Sequence, residues 1–262
     1  MRSMYWWNYT SKELGDLAPQ SVVFQPVASV EQHGPHLPVG TDSFICQAFS
    51  DALLKKLEEK DFPALFLPFM AYGKSNEHLD YPGTVTYSVE TFVSVLMDIG
   101  RSVARAGAKK FVFINAHGGN SEVLDIICRE LRIETGMQVF ALNPLIRMNP
   151  DLSHVLTEKE ARVGIHAGRV ETSFLLYLRP DTVRQDRMNC DYSVDFNGFK
   201  YIDYSGKVSF GWVTHDVTRT GTIGDTAGAN AEEVPRMMEE VTEMMVEACD
   251  EILRFEFIKQ EG

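Results

Sequence analysis

Apolar residues along this chain alternate between two rhythms. Val22–Val30 is a β-branched, apolar run of strand length, despite Pro26. From Thr41 the spacing changes: Phe44, Ile45, Ala48, Phe49, Ala52 and Leu53 recur three and four residues apart, which predicts a helix with one apolar face. Ala64–Pro68 reads as a second strand. A second helix is expected over about Ser88–Ala106, striped by Phe92, Val95, Leu96, Ile99 and Val103, with Gly107 placed to end it in a left-handed cap. Phe111–Asn115 is an apolar strand, the next helix turns Val123, Leu124, Ile127 and Leu131 inward, and Gln138–Leu142 reads as a further strand. Strands alternating with helices of this length predict a parallel sheet covered on both faces, and an unbroken apolar strand fits burial on both sides.

The rhythm breaks over 184–226, which is rich in Gly, Asp, Tyr and Thr. Its β-like pieces, Lys200–Tyr204 and Lys207–Val213, and its turn signals, Asn197-Gly198 and Ser205-Gly206, predict a β-hairpin or a long functional loop within the same domain. Asn230 is a good N-cap with Glu233 at the capping-box position, so a C-terminal helix is expected over 230–258. Its stripe of Val234, Met237, Met238, Val241, Met245, Ala248, Ile252 and Phe255 reads as core packing. No repeat interrupts this order, and 1–262 reads as one domain.

Composition narrows the function classes. Lys and Arg number 25 against 37 Asp and Glu, a net charge of −12. Nucleic acid and anionic membrane both reward clustered basic residues, and no such cluster occurs, so neither is expected as a partner. The longest apolar stretches fall far short of the ~20 residues of a membrane span. The opening Met1-Arg-Ser-Met-Tyr-Trp-Trp-Asn lacks the apolar region of a signal peptide. Cys46, Cys128, Cys190 and Cys249 are scattered and suit free thiols in a reducing cytoplasm. The expectation is a soluble cytoplasmic protein acting on a small molecule.

The candidate chemistry lies after predicted strands or in loops. In an open parallel sheet, ligands bind beyond the carboxyl ends of the strands. The first cluster is Glu31-Gln32-His33-Gly34-Pro35-His36, followed by Asp42. Residues 31 and 33 share one side of an extended strand end. Two carboxylates and an imidazole suit Zn²⁺, Mn²⁺ or Fe²⁺, and a carboxylate has two oxygens that can bridge two ions. The second cluster, Asn115-Ala116-His117-Gly118-Gly119-Asn120, lacks a GxGxxG pattern or a Lys-Ser/Thr pair, so His117 reads as a metal ligand or base rather than part of a phosphate cradle. The third, His166-Ala167-Gly168-Arg169-Val170-Glu171-Thr172-Ser173, offers a histidine that can move a proton and a carboxylate that can ligate metal or orient that histidine. A fourth stretch, Tyr72–Thr84, is polar and aromatic together, as a pocket wall or a surface loop would be. His154 and His215 have no partners at suggestive spacing.

In this order, Glu-Gln-His-Gly-Pro-His…Asp (31–42), Ser75 to Pro82-Gly83-Thr84, Asn-Ala-His-Gly-Gly-Asn (115–120) and His-Ala-Gly-x-x-Glu-Thr-Ser (166–173) resemble the creatininase family of metal-dependent amidohydrolases. The resemblance covers about residues 20–180. It implies a three-layer α/β/α fold with a mainly parallel sheet, a centre of two divalent ions per subunit at the sheet's carboxyl edge, and a homo-oligomer such as a hexamer. Carried over by position, Glu31 and His117 hold one ion, His33 holds the other and Asp42 bridges them. His166 matches the proton-transferring histidine and protonates the leaving group after hydroxide attacks the carbonyl. Ser75 matches a substrate-side serine, and His36 and Asn120 are further substrate-side candidates. In creatininase itself, the residue two after the strand-end histidine is a carboxylate ligand of the second ion. Here it is Gly119, and Glu171 is the candidate that completes the site. The tryptophans that pack the creatinine ring also have no evident match, since Trp6, Trp7 and Trp212 are the only three.

These departures point away from creatinine and towards another small, cyclic amide. The HGGN form is similar to wider family members: formamide deformylases, a peptidase of peptide-cofactor maturation, and ring-opening hydrolases of cyclic ketones from inositol breakdown. A binding domain that keeps the fold without metal is the non-enzymatic alternative.

Overall fold

The computed structural model describes residues 3–148, 152, 155–204 and 206–257. In chain order its elements are α1 (Ser11–Leu17), β1 (Val22–Val27), α2 (Thr41–Glu59), β2 (Ala64–Phe66), α3 (Val89–Arg105), β3 (Lys110–Asn115), α4 (Ser121–Thr135), β4 (Gln138–Leu142), α5 (Glu158–Val163), α6 (Arg169–Leu178), β5 (Cys190–Asp191), α7 (Thr214–Val217), β6 (Gly224–Asp225) and α8 (Val234–Arg254). β1 to β4 form one sheet in the order β2-β1-β3-β4, every pair parallel. Val22 lies level with Ala64 and Lys110, and Lys110 with Gln138, so the carboxyl ends of the strands open on one edge.

Because side chains alternate across a strand, each strand feeds two cores. Val22, Phe24, Val112 and Ile114 face a core closed by Ile45, Phe49 and Leu53 of α2, Phe174 of α6 and Val241, Met245 and Ile252 of α8. Val23, Val27, Phe111 and Phe113 face the other, closed by Phe92 and Leu96 of α3 and Leu124, Ile127 and Leu131 of α4. Helices on both faces of a parallel sheet make the three-layer α/β/α architecture that the alternating pattern predicts. Phe113 is fully buried between β3 and the α3–α4 layer. Phe113→Ala is expected to lower unfolding free energy by about 3–5 kcal/mol, read by urea denaturation, because a rigid layered core collapses only partly around the cavity.

β1 leads to β2 on one side and the chain returns through α3 to β3 on the other. The strand order therefore reverses between β1 and β3, and that switch point is where an open α/β sheet offers a crevice. α3 stops where expected, with Gly107 at φ +92° and Pro19 packed 3.0 Å from where a Cβ would stand.

Three expectations need correction. β1 ends at Val27 rather than Val30, since beyond it the chain peels away into single bridges, Val27 to Met70 and Val30 to Val85. No strand forms at 200–204 or 207–213 among the described residues, which exclude Ser205 of the predicted Ser205-Gly206 turn. Tyr204, Phe210 and Trp212 pack there as an aromatic cluster, and the segment is tied at its ends by the two-residue antiparallel β5–β6 pair. Asp191 anchors it: one carboxylate oxygen accepts from Thr218 Oγ1, Arg219 N and Thr220 N at 2.8–3.0 Å. Against burial, those donors and Ser193 hold the Asp191 carboxyl at about 2. The C-terminal helix covers 234–254, shorter than the expected 230–258, whose last residue lies outside the described ones. Asn230 does cap, accepting from Glu232 N, but Glu233 is drawn away by Arg169, 3.1 Å off, so no capping box forms. At the other end Lys110 Nζ donates to the carbonyls of Ile252, Leu253 and Phe255, and Phe255 lies beyond the helix, exposed.

The four cysteines are unpaired. Among the described residues, no helix is long and apolar enough to cross a membrane.

Candidate metal centre

Glu31 and His33 follow β1, His117 follows β3, and Asp42 stands in the first turn of α2. These positions flank the switch point, and the fold brings all four together. Asp42 is the hinge of the arrangement: Oδ1 lies 3.2 Å from His33 Nε2, and Oδ2 lies 3.0 Å from His117 Nδ1. Ser29 Oγ fixes its rotamer by donating to Oδ2 at 2.6 Å. Glu31 Oε2 lies 3.2 Å from His117 Nε2, and Glu171 Oε2 lies 3.8 Å from His33 Nε2. Two sets of possible ligands thus share one carboxylate: Glu31, Asp42 and His117, and His33, Asp42 and Glu171. A third set, Glu31, His33 and His166, lies between them.

The electrostatics are those of a site built around positive charge. Burial works against ionising Asp42, yet the adjacent His33 and His117 hold its carboxyl well below the usual range. Burial likewise opposes charging His117, but Glu31 and Asp42 push it up to about 9. His33 is held well above the usual histidine range by Asp42 and Glu171, again against burial. Glu31 is raised by burial to about 7. Most telling, Glu31 Oε2 and His33 Nε2 are buried without a hydrogen-bond partner. A buried polar atom left unpaired costs about 1–3 kcal/mol, more for a charged group. A divalent cation between such carboxylate and imidazole atoms removes that cost, so the residues present fit the metals that their chemistry suggests.

His166 and Glu171 reach the centre from the other side of the crevice. His166 sits before α6, its backbone bridged to Ile223, so the end of the 184–226 segment holds it in place. Ala167 then takes φ +53°, a left-handed conformation costing ~1–3 kcal/mol outside glycine. That turn lets Ala167 N donate to Glu171 Oε2 at 2.6 Å, aiming the carboxylate back towards His33. His166 Nε2 faces both the Gln32 carbonyl at 2.8 Å and the Gln32 side-chain amide nitrogen at 3.1 Å; the two amide hydrogens have His78 Nδ1 and Gly221 O as acceptors, so the shorter contact to the carbonyl assigns the proton to Nε2. Nδ1 is then a bare acceptor, 3.6 Å from Glu31 Oε1. Burial, with help from charged His33, pushes His166 down to about 4, so the imidazole is neutral at ordinary pH.

The cavity above this centre has a volume of about 630 Å³. Glu31, Asp42, His117, His166 and Glu171 line its floor. The lining also includes the aliphatic Leu145, Ile146, Leu152 and Leu156, the aromatic Tyr204, Phe210 and Trp212, and Lys74 and Glu77.

The family model described as "Creatininase: Creatinine amidohydrolase" matches residues 7–249. The chain belongs to the creatininase family. A mycofactocin precursor peptide peptidase of Mycolicibacterium smegmatis is 33% identical over 249 residues, covering 94% of this chain and 90% of that relative. A creatinine amidohydrolase of Pseudomonas putida is 32% identical over 186 residues, covering 65% of this chain and 69% of its own. A solved creatininase variant of zinc–zinc type superposes with a TM-score of 0.74 at 25% identity, across 97% of this chain and all of that one. The chain is thus a creatininase-family amidohydrolase with a creatininase fold.

Within this creatininase-family site, the residues expected on the substrate side lie behind the cavity. Ser75 Oγ is 3.1 Å from His117 Nε2 and fully buried. His36 Nε2 pairs with Thr172 Oγ1 at 2.9 Å. Asn120 commits both ends of its amide, donating to Ala28 O and Asn115 Oδ1 and accepting from Lys74 N. None of the three is among the residues that line the cavity, although His36 Nδ1 is buried without a hydrogen-bond partner. Trp212, which the sequence left without a role, stands on the cavity wall.

The structure also adds residues that spacing did not reveal. His78 lies under the centre, with Nδ1 2.9 Å from both Gln32 Nε2 and Thr214 Oγ1, and Nε2 3.5 Å from Glu31 Oε1. Burial and the surrounding histidines keep it well below the usual range, hence neutral. Glu160 joins three segments: it accepts from Arg169 N, Asp225 N and the Tyr192 hydroxyl. His215 stacks on Tyr81 at the surface, 3.1 Å from Asp80. His154 lies outside the described residues.

Proposed function

We propose that this protein hydrolyses an amide bond using two divalent cations, of Zn²⁺, Mn²⁺ or Fe²⁺ type, and that the amide belongs to a peptide. In this reading Glu31 and His117 hold one cation, His33 and Glu171 the other, and Asp42 both. The observation that carries it is Asp42, whose two oxygens face His33 Nε2 and His117 Nδ1, together with Glu31 Oε2 and His33 Nε2, buried atoms that meet charged partners at 3.2 Å but make no hydrogen bond. Two such cations, when bound, supply Lewis acidity and lower the pKa of a water from 15.7 towards ~7. The chain's own contribution is positional. Asp42 fixes the spacing of the ligands, Ser75 and Asn120 hold His117 and its loop, and His166 handles the proton. A neutral His166 accepts that proton at Nδ1 and delivers it to the leaving nitrogen, which must be protonated to depart as an amine.

Cavity size and lining support a peptide. About 630 Å³ falls within the roughly 300–1,000 Å³ of sites that enclose drug-sized ligands, and an aliphatic and aromatic lining suits the side chains of a peptide. The similarity to a mycofactocin precursor peptide peptidase runs over nearly the whole chain. The second reading is the small cyclic amide expected from the sequence, and Trp212 favours it, because an indole face packs a flat ring.

Incubating the metal-loaded protein with apolar peptides and with cyclic amides, followed by mass spectrometry, separates the two. Peptide cleavage with addition of one water is expected. Turnover of the cyclic amides alone overturns the peptide assignment, and turnover of neither by protein carrying two cations overturns the hydrolase reading.

A further inference from the structure

His78 belongs to none of the ligand sets, yet it stands against them. It is buried at the end of the short 3-10 turn Asn76–His78. Its ring lies 4.5 Å from that of His166, which in turn lies 4.2 Å from that of His33. Gln32 decides which nitrogen of His78 carries the proton. Gly34 N donates to Gln32 Oε1 at 2.9 Å, and Gly221 O accepts from Gln32 Nε2 at 3.1 Å, so both ends of the amide are fixed. The second amide hydrogen has His78 Nδ1 as its acceptor, 2.9 Å away. Thr214 Oγ1 is equally close to Nδ1, but a hydroxyl can turn its one hydrogen to Nδ1 or to the Glu77 carbonyl at 2.8 Å, whereas the amide N–H cannot turn. A proton on Nδ1 would leave two buried donors facing each other. Nδ1 is therefore bare, and the ring is neutral with its proton on Nε2.

That N–H faces Glu31. His78 Nε2 lies 3.5 Å from Glu31 Oε1, an oxygen that also faces His166 Nδ1 at 3.6 Å. His166 carries its proton on Nε2, so its Nδ1 turns a lone pair to the carboxylate. With the opposite tautomer of His78, Glu31 Oε1 would meet a lone pair from each ring. The Nε2–H instead gives that oxygen the positive end of a dipole. Glu31 Oε2, 3.2 Å from His117 Nε2 and without a hydrogen bond, is left for the cation.

We infer that His78 is a positioning residue for Glu31: the Gln32 amide sets its tautomer, and its Nε2–H steadies Glu31 with Oε2 turned to the cation shared with His117. This rests on the two-cation reading above. It also gives Gln32, which stands between the ligands Glu31 and His33, a task of its own.

The test uses Zn²⁺, which is diamagnetic, so that magnetic resonance and calorimetry read the same loaded protein. With isotope-labelled histidine, the side-chain nitrogen–proton correlations of His78, assigned by the signal lost on its substitution, are expected to show a proton on Nε2 and none on Nδ1. A proton on Nδ1, or Zn²⁺ bound at Nε2, would overturn the inference. Calorimetric titration of the chelator-treated parent is expected to show two Zn²⁺ sites. His78→Gln places an amide near the position of Nε2, and His78→Asn near that of Nδ1. Contacts that orient a metal ligand are worth about 10–100-fold in affinity, so His78→Asn is expected to weaken one Zn²⁺ site by that factor and spare the other, while His78→Gln stays within about threefold of the parent. Parental affinity in His78→Asn, or a loss in His78→Gln that His78→Asn does not share, would overturn the inference and leave the two-cation reading standing, since a residue that merely props Gln32 and Thr214 needs only Nδ1. A parent that binds fewer than two Zn²⁺ ions would overturn both.

Discussion

Asp42→Asn is expected to strip the protein of both cations and to lower amide hydrolysis by roughly a thousandfold or more. Asp42 is the one carboxylate shared by the two flanking ligand sets, with an oxygen towards each of His33 and His117. An amide at this position keeps the volume, loses the charge and turns one oxygen into a donor. That donor would face an imidazole or a cation, and neither has a lone pair to spare once the site is loaded. A bound metal contributes several kcal/mol of transition-state stabilisation, and each 1.36 kcal/mol is tenfold in rate, which sets the expected loss. Metal content after chelator-free purification and kcat/KM on the cleaved substrate measure it. The fold should persist, because Asp42 lies at the sheet edge and both cores are formed without it. Two ions per chain with unchanged turnover in Asp42→Asn would remove the bridging role.

The α/β framework was largely legible because its apolar spacing is long and regular. β4 runs over Gln138–Leu142 as read, and α2 begins at Thr41 as read. The convergence of Glu31, His33, Asp42 and His117 was legible for a related reason: all four lie within a few residues of strand ends or helix starts, at the edge where a parallel sheet opens its crevice. The failures have a common physical cause too. Residues 200–213 have the composition of strands, yet their aromatic side chains find each other instead of a neighbouring backbone, and a two-residue ladder such as β5–β6 is too short for any periodicity to announce. His78 and Glu77 escaped because nothing in a 3-10 turn of one loop indicates that it will be pressed against histidines from three other segments. Ser75 was placed on the substrate side by its match to a serine of the resembled family, with His36 and Asn120 as further candidates. In the folded chain all three are fully buried, with Ser75 Oγ on His117, His36 Nε2 on Thr172 and the Asn120 amide on backbone and Asn115, contacts that no sequence spacing announces.

His166→Gln is the variant that separates metal binding from proton transfer. His166 lies within reach of Glu31 and His33, so it belongs to one possible ligand set, but its geometry argues for a different task. Its Nε2–H is committed to the Gln32 carbonyl, its Nδ1 is free, and burial keeps it neutral. A residue in that state is ready to take a proton at one atom and give it up again, and the bridge to Ile223 together with the left-handed Ala167 holds the ring in place for it. General acid–base groups contribute about 10²–10⁴-fold, so kcat is expected to fall by that factor in His166→Gln while the protein still carries two ions and KM changes little. Leaving-group dependence supplies a readout that a merely structural role would not move: substrates with activated, weakly basic amines need less protonation and should lose much less rate than ordinary amides. If His166→Gln instead loses a cation, or slows both substrate classes equally, the histidine is a ligand or a structural prop, and the leaving nitrogen must take its proton from elsewhere in the cavity.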